Sequence, residues 1–158
     1  MKTPVHVASL MFVLLMLTSC SFFEDDFEDP TPFLQYDATV EIVGAMPEML
    51  QVQVRVNNQH RTSDVVLVHS LCNVTVLLTA VDSSIAPIQP VEVCTPVNVS
   101  STIEASTMKT FTFEVTVQDI LDQGAPAGAY DVTATIRFAQ IEQQVLPAGR
   151  IQLPAEAG

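Results

Sequence analysis

Tryptophan is absent from this 158-residue chain, glycine occurs five times, cysteine three times, and Lys and Arg together only six times against 18 Asp and Glu. The shortage of basic residues, which leaves a formal net charge of −12, excludes nucleic acid as a partner, because such binding rests on neutralising phosphates with Lys and Arg. Long apolar runs are missing as well. The longest, Val7 to Leu17, spans 11 residues, about half of what a membrane-spanning helix needs. Motifs of chemistry are equally scarce: there is no C-x-x-C, no G-x-S-x-G, no glycine-rich phosphate loop and no D-x-[DN]-x-[DN]-G calcium loop. What is present is a 48% hydrophobic composition, too apolar for a chain that cannot form a core. The length suits one domain.

Residues 1–19 read as a signal peptide: Lys2, then the apolar run, then small residues. The end of that segment, Leu17-Thr18-Ser19-Cys20, resembles the lipobox of bacterial lipoproteins. In that family the Cys thiol receives a diacylglyceryl group, the chain is cut before the Cys, and the new amine is acylated. The resemblance implies cleavage between Ser19 and Cys20, lipidation of Cys20 and handling by the lipoprotein processing and sorting machinery. Two or more acyl chains hold a protein stably to a bilayer where one would not.

Ser21, rather than an aspartate, follows the cysteine, which within the resemblance implies delivery to the outer membrane. Residues 20–35 then carry Glu24, Asp25, Asp26, Phe27, Glu28 and Asp29, a block that suits a solvated, self-repelling tether. The same block is similar to the acidic export signals that send some lipoproteins to the cell surface. The expected location is therefore the bacterial outer membrane, on its periplasmic face or at the cell surface.

The body, residues 36–158, keeps Cys72 and Cys94. In an oxidising compartment a pair of thiols becomes a disulfide, and a local Cys72–Cys94 bridge is expected. A metal site has less support. His6 lies in the leader, and His60 and His69 are nine residues apart, without the spacing of a metal pair. Both are expected to be surface or hydrogen-bonded histidines. Asp119 and Asp122 stand in a segment lacking the rest of a calcium loop and read as solvated. Asn73-Val74-Thr75 and Asn98-Val99-Ser100 match the glycosylation sequon, which the bacterial leader makes irrelevant. Neither a metal nor any other cofactor is expected.

Periodicity in the body is two. Leu50, Val52, Val54 and Val56 alternate with Gln51, Gln53, Arg55 and Asn57, and the pattern recurs over 111–118 and 130–138. One wet face per strand is the mark of antiparallel sheets. Weaker strands are expected over 38–43, 64–69, 74–81, 91–99 (broken by Pro96, hence at an edge) and 150–153. Only 117–123 suits a helical turn. The expected fold is an all-β antiparallel sandwich of seven or eight strands.

The step Gly128-Ala129-Tyr130-Asp131-Val132 after the Phe111-x-Phe113 strand resembles the sixth strand of immunoglobulin-like domains. That resemblance implies a structural tyrosine corner at Tyr130, whose hydroxyl would bond back to the chain upstream. More narrowly, the order of strands around Val56-Asn57-Asn58 is similar to bacterial domains typified by an intracellular proteinase inhibitor. That similarity would make Ser83 to Pro90 or Gln123 to Ala127 an inhibitory loop. With no nucleophile–base pair legible, the expected role is non-enzymatic: binding or structural support for a protein or glycan partner, or, as the alternative, protease inhibition. An enzyme or accessory subunit would need His60 and His69 to meet an acid in a cleft.

Overall fold

A computed structural model of the chain describes residues 30–45, 47–82 and 84–155. The expected signal peptide, the expected Ser19/Cys20 cleavage site and the acidic stretch Glu24 to Asp29 lie outside these residues. After a 3-10 turn at Thr31–Phe33 come eight strands: β1 (Leu34–Val43), β2 (Met49–Asn58), β3 (Val65–Ser70), β4 (Val74–Ala80), β5 (Asn98–Ile103), β6 (Met108–Thr116), β7 (Gly128–Ile136) and β8 (Gln144–Leu153). All pairings are antiparallel, in the orders β1-β2-β6, β3-β5 and β4-β7-β8. The fold is the all-β antiparallel sandwich that the alternation predicts.

The alternation of β2 translates directly into layers. Leu50, Val52, Val54 and Val56 are fully buried, while Gln51, Gln53, Arg55 and Asn57 stand on the wet face. There Gln53 donates to Gln51 and Gln51 to Glu114, and Arg55 faces Asp37 across the β1–β2 pair at 3.3 Å. Phe111, Phe113 and Val115 from β6 and Val132, Ala134 and Ile136 from β7 complete a shared core with Leu67, Val76 and Leu78. Each large side chain removed from water in this way contributes about 1.5–3 kcal/mol.

Three expectations need correction. The strand expected over 91–99 begins only at Asn98. Pro90 and Pro96 remove ladder donors, and the Val97 N–H turns back to the Thr95 carbonyl at 2.7 Å. The alternation of 111–118 stops at Thr116, where a helix, α1 (Val117–Asp122), takes over. Its N-cap Thr116 accepts from the Asp119 N–H at 3.0 Å and donates its hydroxyl to the Asp119 carboxylate at 2.6 Å. Its far end is closed by Gly124 at φ +88°, with Gly124 N–H on the Leu121 carbonyl and Ala125 N–H on that of Ile120, a Schellman closure that needs a residue free to take the left-handed region. Finally, the strand expected over 150–153 starts at Gln144. A bulge at Val132/Thr133 lets β8 pass Pro147 and keep pairing with β7.

The chain enters the sandwich at the end that carries the β2–β3 and β5–β6 turns: Gln59 N–H donates to the Phe33 carbonyl, and the Phe33 and His60 rings meet edge to face. At this end sits Asn58, fully buried. Its amide donates to the carbonyls of Ser63, Ile103 and Glu104, and its oxygen accepts the His60 N–H. One side chain thus ties β2 to both turns. The opposite end carries the β1–β2 turn, α1 and the turn into β7.

Candidate functional site

Cys72, in the corner between β3 and β4, and Cys94 form a disulfide with their Cα atoms 5.8 Å apart, as the export reading predicts. The bridge pins a long connection between β4 and β5. Residues 84–97 of that connection run across the open side of the sandwich. Ile88 exchanges both backbone hydrogen bonds with Leu78 of β4, at 2.8 and 2.9 Å. Four residues on, the Glu92 carboxylate accepts the Glu114 N–H of β6 at 3.4 Å. One strap therefore covers part of the free edges of β4 and β6, which otherwise present unpaired N–H and C=O groups to any passing strand.

Glu92 is held in an unfavourable setting. Burial raises its pKa above the ordinary carboxylate value, the Glu114 N–H pulls it back, and the negative charge of Glu114 pushes it up again. A carboxyl with a raised native pKa stabilises the fold below the ordinary carboxylate range and loses that contribution as pH rises through the native pKa. Glu92→Gln keeps an acceptor for the Glu114 N–H and removes the charge. The variant is expected to match the parent in acid and to melt at a higher temperature near pH 7. Thermal melts followed by circular dichroism at both pH values check this; equal melting temperatures at pH 7 would refute it.

The outer face of the strap is apolar. Val91 and Val93 project outward, the latter fully exposed, on either side of the inward-facing Glu92. Among the described residues, each of the two stretches considered for an inhibitory loop is tied to the body at particular points. Within 83–90, Ile88 is tied to β4; within 123–127, Ala125 is buried and the Pro126 carbonyl accepts the Tyr130 hydroxyl at 2.8 Å. This last bond places Tyr130, itself buried, at the start of β7 with its hydroxyl on the chain four residues upstream. Burial raises the Tyr130 pKa, so the phenol stays protonated and donating. Beside that turn lies a shallow cavity of about 340 Å³ lined by Leu121, Gly124, Ala125, Pro126, Ala127 and Ala155. None of these side chains titrates.

The histidines are kept apart and used differently. His60 Nδ1 lies 3.3 Å from the Thr62 N–H and 3.0 Å from the Ser63 N–H, accepting at the head of its turn. His69 points inward, with the edges of Phe111 and Phe138 against its ring. Its Nδ1 donates to the Ser70 carbonyl at 2.7 Å, and in the neutral ring Nε2 accepts the Ser101 hydroxyl at 2.8 Å. The Ser101–His69 distance is that of a nucleophile and its base, yet both residues are buried and neither lines the cavity beside α1. The pair satisfies two buried polar groups, and neither partner was legible as such, because strands 32 residues apart bring them together. Asp119 and Asp122 are spent within α1, on Thr116 and Gln118. Among the described residues no group of three or more His, Cys, Asp or Glu is placed to hold a metal. Asn73 of the first sequon is buried, and Asn98 of the second is exposed.

No family model matches the chain, and no curated protein does. Among solved structures it is similar to a β-glucosidase from Kluyveromyces marxianus (14% identity over 77% of this chain and 14% of that one, TM-score 0.46). A β-glucosidase from Listeria innocua is 18% identical over 73% of this chain and 16% of its own, with a TM-score of 0.38. A chain assigned as ApaA from Bordetella pertussis is 11% identical over 79% of this chain and 95% of its own, again at 0.38. The chain spans about a seventh of the length of the glucosidases. Overlaps of this quality carry neither a functional nor a topological argument.

Proposed function

We propose that this chain is an exported lipoprotein, fixed to a bilayer through acyl chains on Cys20, whose β-sandwich serves as a non-enzymatic binding or structural module at the cell envelope. The observation that carries this reading is Leu17-Thr18-Ser19-Cys20 after a short apolar run. Support comes from the body. Cys72 and Cys94 are bonded to each other, so Cys20 alone of the three cysteines is left for attachment, and a disulfide suits an oxidising compartment. The described residues begin at Pro30, at the end of the sandwich that holds Asn58 and His60, so an anchor at Cys20 would join the sandwich at that end. With Ser21 after the lipid site, the outer membrane is the proposed destination.

Cys20→Ser tests the anchor. In cells fed labelled palmitate, the native chain is expected to take up label and to partition into the detergent phase. The variant is expected to take up none, to keep its leader and to run heavier on a gel. A variant that is labelled and partitioned as the native chain is would overturn the proposal.

A further inference from the structure

Among the described residues, every edge strand but one has a contact along its free side. Val40 of β1 lies 3.3 Å from the position a Cβ would take on Gly149 of β8, so these two edge strands lie side by side. On β3, Val68 N–H donates to the Gln140 side chain at 3.0 Å, and the same amide donates to the Val66 carbonyl at 3.3 Å. The strap meets β4 at Leu78 and β6 at Glu114. The exception is β5. Leu71 N–H bonds the Val97 carbonyl, and the register Val65↔Ile103 to Ser70↔Asn98 then makes Val99, Ser101 and Ile103 the residues that bond β3. The N–H and C=O groups of Asn98, Ser100 and Thr102 point away from the sheet. All three residues are exposed, and among the described residues no backbone partner meets them.

We infer that β5 is a self-association edge, pairing antiparallel with β5 of a second copy about a two-fold axis at Ser100. Charge selects this occupant. In a chain of net charge −12, two copies repel across most approaches, yet strands 65–70 and 98–103 contain no Asp, Glu, Lys or Arg. The edge also carries none of the lysines, prolines or bulges that blunt free strands. Pairing about Ser100 is self-complementary: Ser100 meets Ser100, Asn98 meets Thr102, and Glu104 falls opposite Pro96 rather than an acid. Three residues from each copy then satisfy their outward backbone groups, and the sheet continues across the axis. The inference does not rest on the lipid anchor.

Cysteine cross-linking of the full chain in mild detergent tests the register. In such a pair the two Ser100 Cα atoms stand about 5.5 Å apart, within the range a disulfide spans. Positions 98 and 102, by contrast, lie about 14 Å from their own copies. Under a mild oxidant, Ser100→Cys is expected to form a covalent dimer at least tenfold faster than Asn98→Cys, Thr102→Cys or the native chain. Ser100→Lys, which sets two ammonium groups against each other on the axis, is expected to sediment as a monomer where the native chain sediments as a dimer. Equal cross-linking at all three positions, a native chain that is monomeric at every concentration, or a Ser100→Lys chain that stays dimeric would overturn the inference. So would cross-linking of Ser100→Cys to a different protein, which would assign the edge to another partner.

Discussion

Asn58→Ala is expected to lower the unfolding free energy by about 4 kcal/mol, the sum of several hydrogen bonds at about 1 kcal/mol each and of buried groups left without partners. The Asn58 amide serves the carbonyls of Ser63, Ile103 and Glu104, and its oxygen serves the His60 N–H. Ala supplies no donor or acceptor, and the site is fully buried, so water does not take over these roles without opening the end of the sandwich. The loss spreads beyond one element. The β2–β3 turn and the β5–β6 turn share this residue, and the Ser106 N–H on the His60 carbonyl links them further. Urea titration measures the change. A loss under about 1 kcal/mol would mean that the turns are held by backbone bonds alone. Asn58→Asp separates the two halves of the role, because a carboxylate still accepts the His60 N–H but donates nothing to the three carbonyls.

Replacing both Cys72 and Cys94 by Ala is expected to reduce stability by about 3 kcal/mol, from the chain entropy regained when a loop of this size is opened in the unfolded state. The two cysteines are 22 residues apart in sequence, and the loop they close contains the strap up to Cys94. Local opening follows from the same change. Without the bridge, the strap keeps the Ile88–Leu78 pair and the Glu92–Glu114 bond, and the second of these is flanked by exposed Val91 and Val93. The double variant is therefore expected to be cut by proteases within 84–97 under conditions where the native chain is intact. Limited proteolysis with mass analysis of the fragments gives the answer. Resistance equal to that of the native chain would show that the two hydrogen-bonded contacts hold the strap unaided.

The two variants load different parts of the molecule. Asn58 acts at the end where the chain enters, and the disulfide acts along the open side. Their effects are expected to add, since separated sites without shared partners behave independently.

How far the sequence determined the molecule follows from the range of the interactions involved. The alternation in β2, in the core of β6 and in β7 specified which face each strand buries, because side-chain direction in a strand repeats every two residues and depends on no partner. The Cys72–Cys94 pairing was legible for a comparable reason: once the sequence reading assigns Cys20 to the lipid, two thiols remain. A helical turn was expected over 117–123, although the alternation was followed two residues into it, and the Thr116, Asp119 and Gly124 chemistry that bounds the helix is local.

Contacts between distant residues were decided by the tertiary structure alone. Nothing in the sequence around Glu92 marks it as the partner of the Glu114 N–H, and the expected strand over 91–99 followed an alternation of valines that here projects outward from a strap. Ser101 and His69 meet because β5 pairs with β3, and Asn58 becomes a hub because two turns close over it. The same holds for the unguarded edge of β5. Whether a backbone N–H is free depends on which strand lies beside it, a matter of register and neighbours that sequence periodicity does not encode. Thus local geometry wrote the layers, the wet faces and the disulfide into the sequence, while long-range pairing chose the covered edges, the buried polar groups and the edge left open.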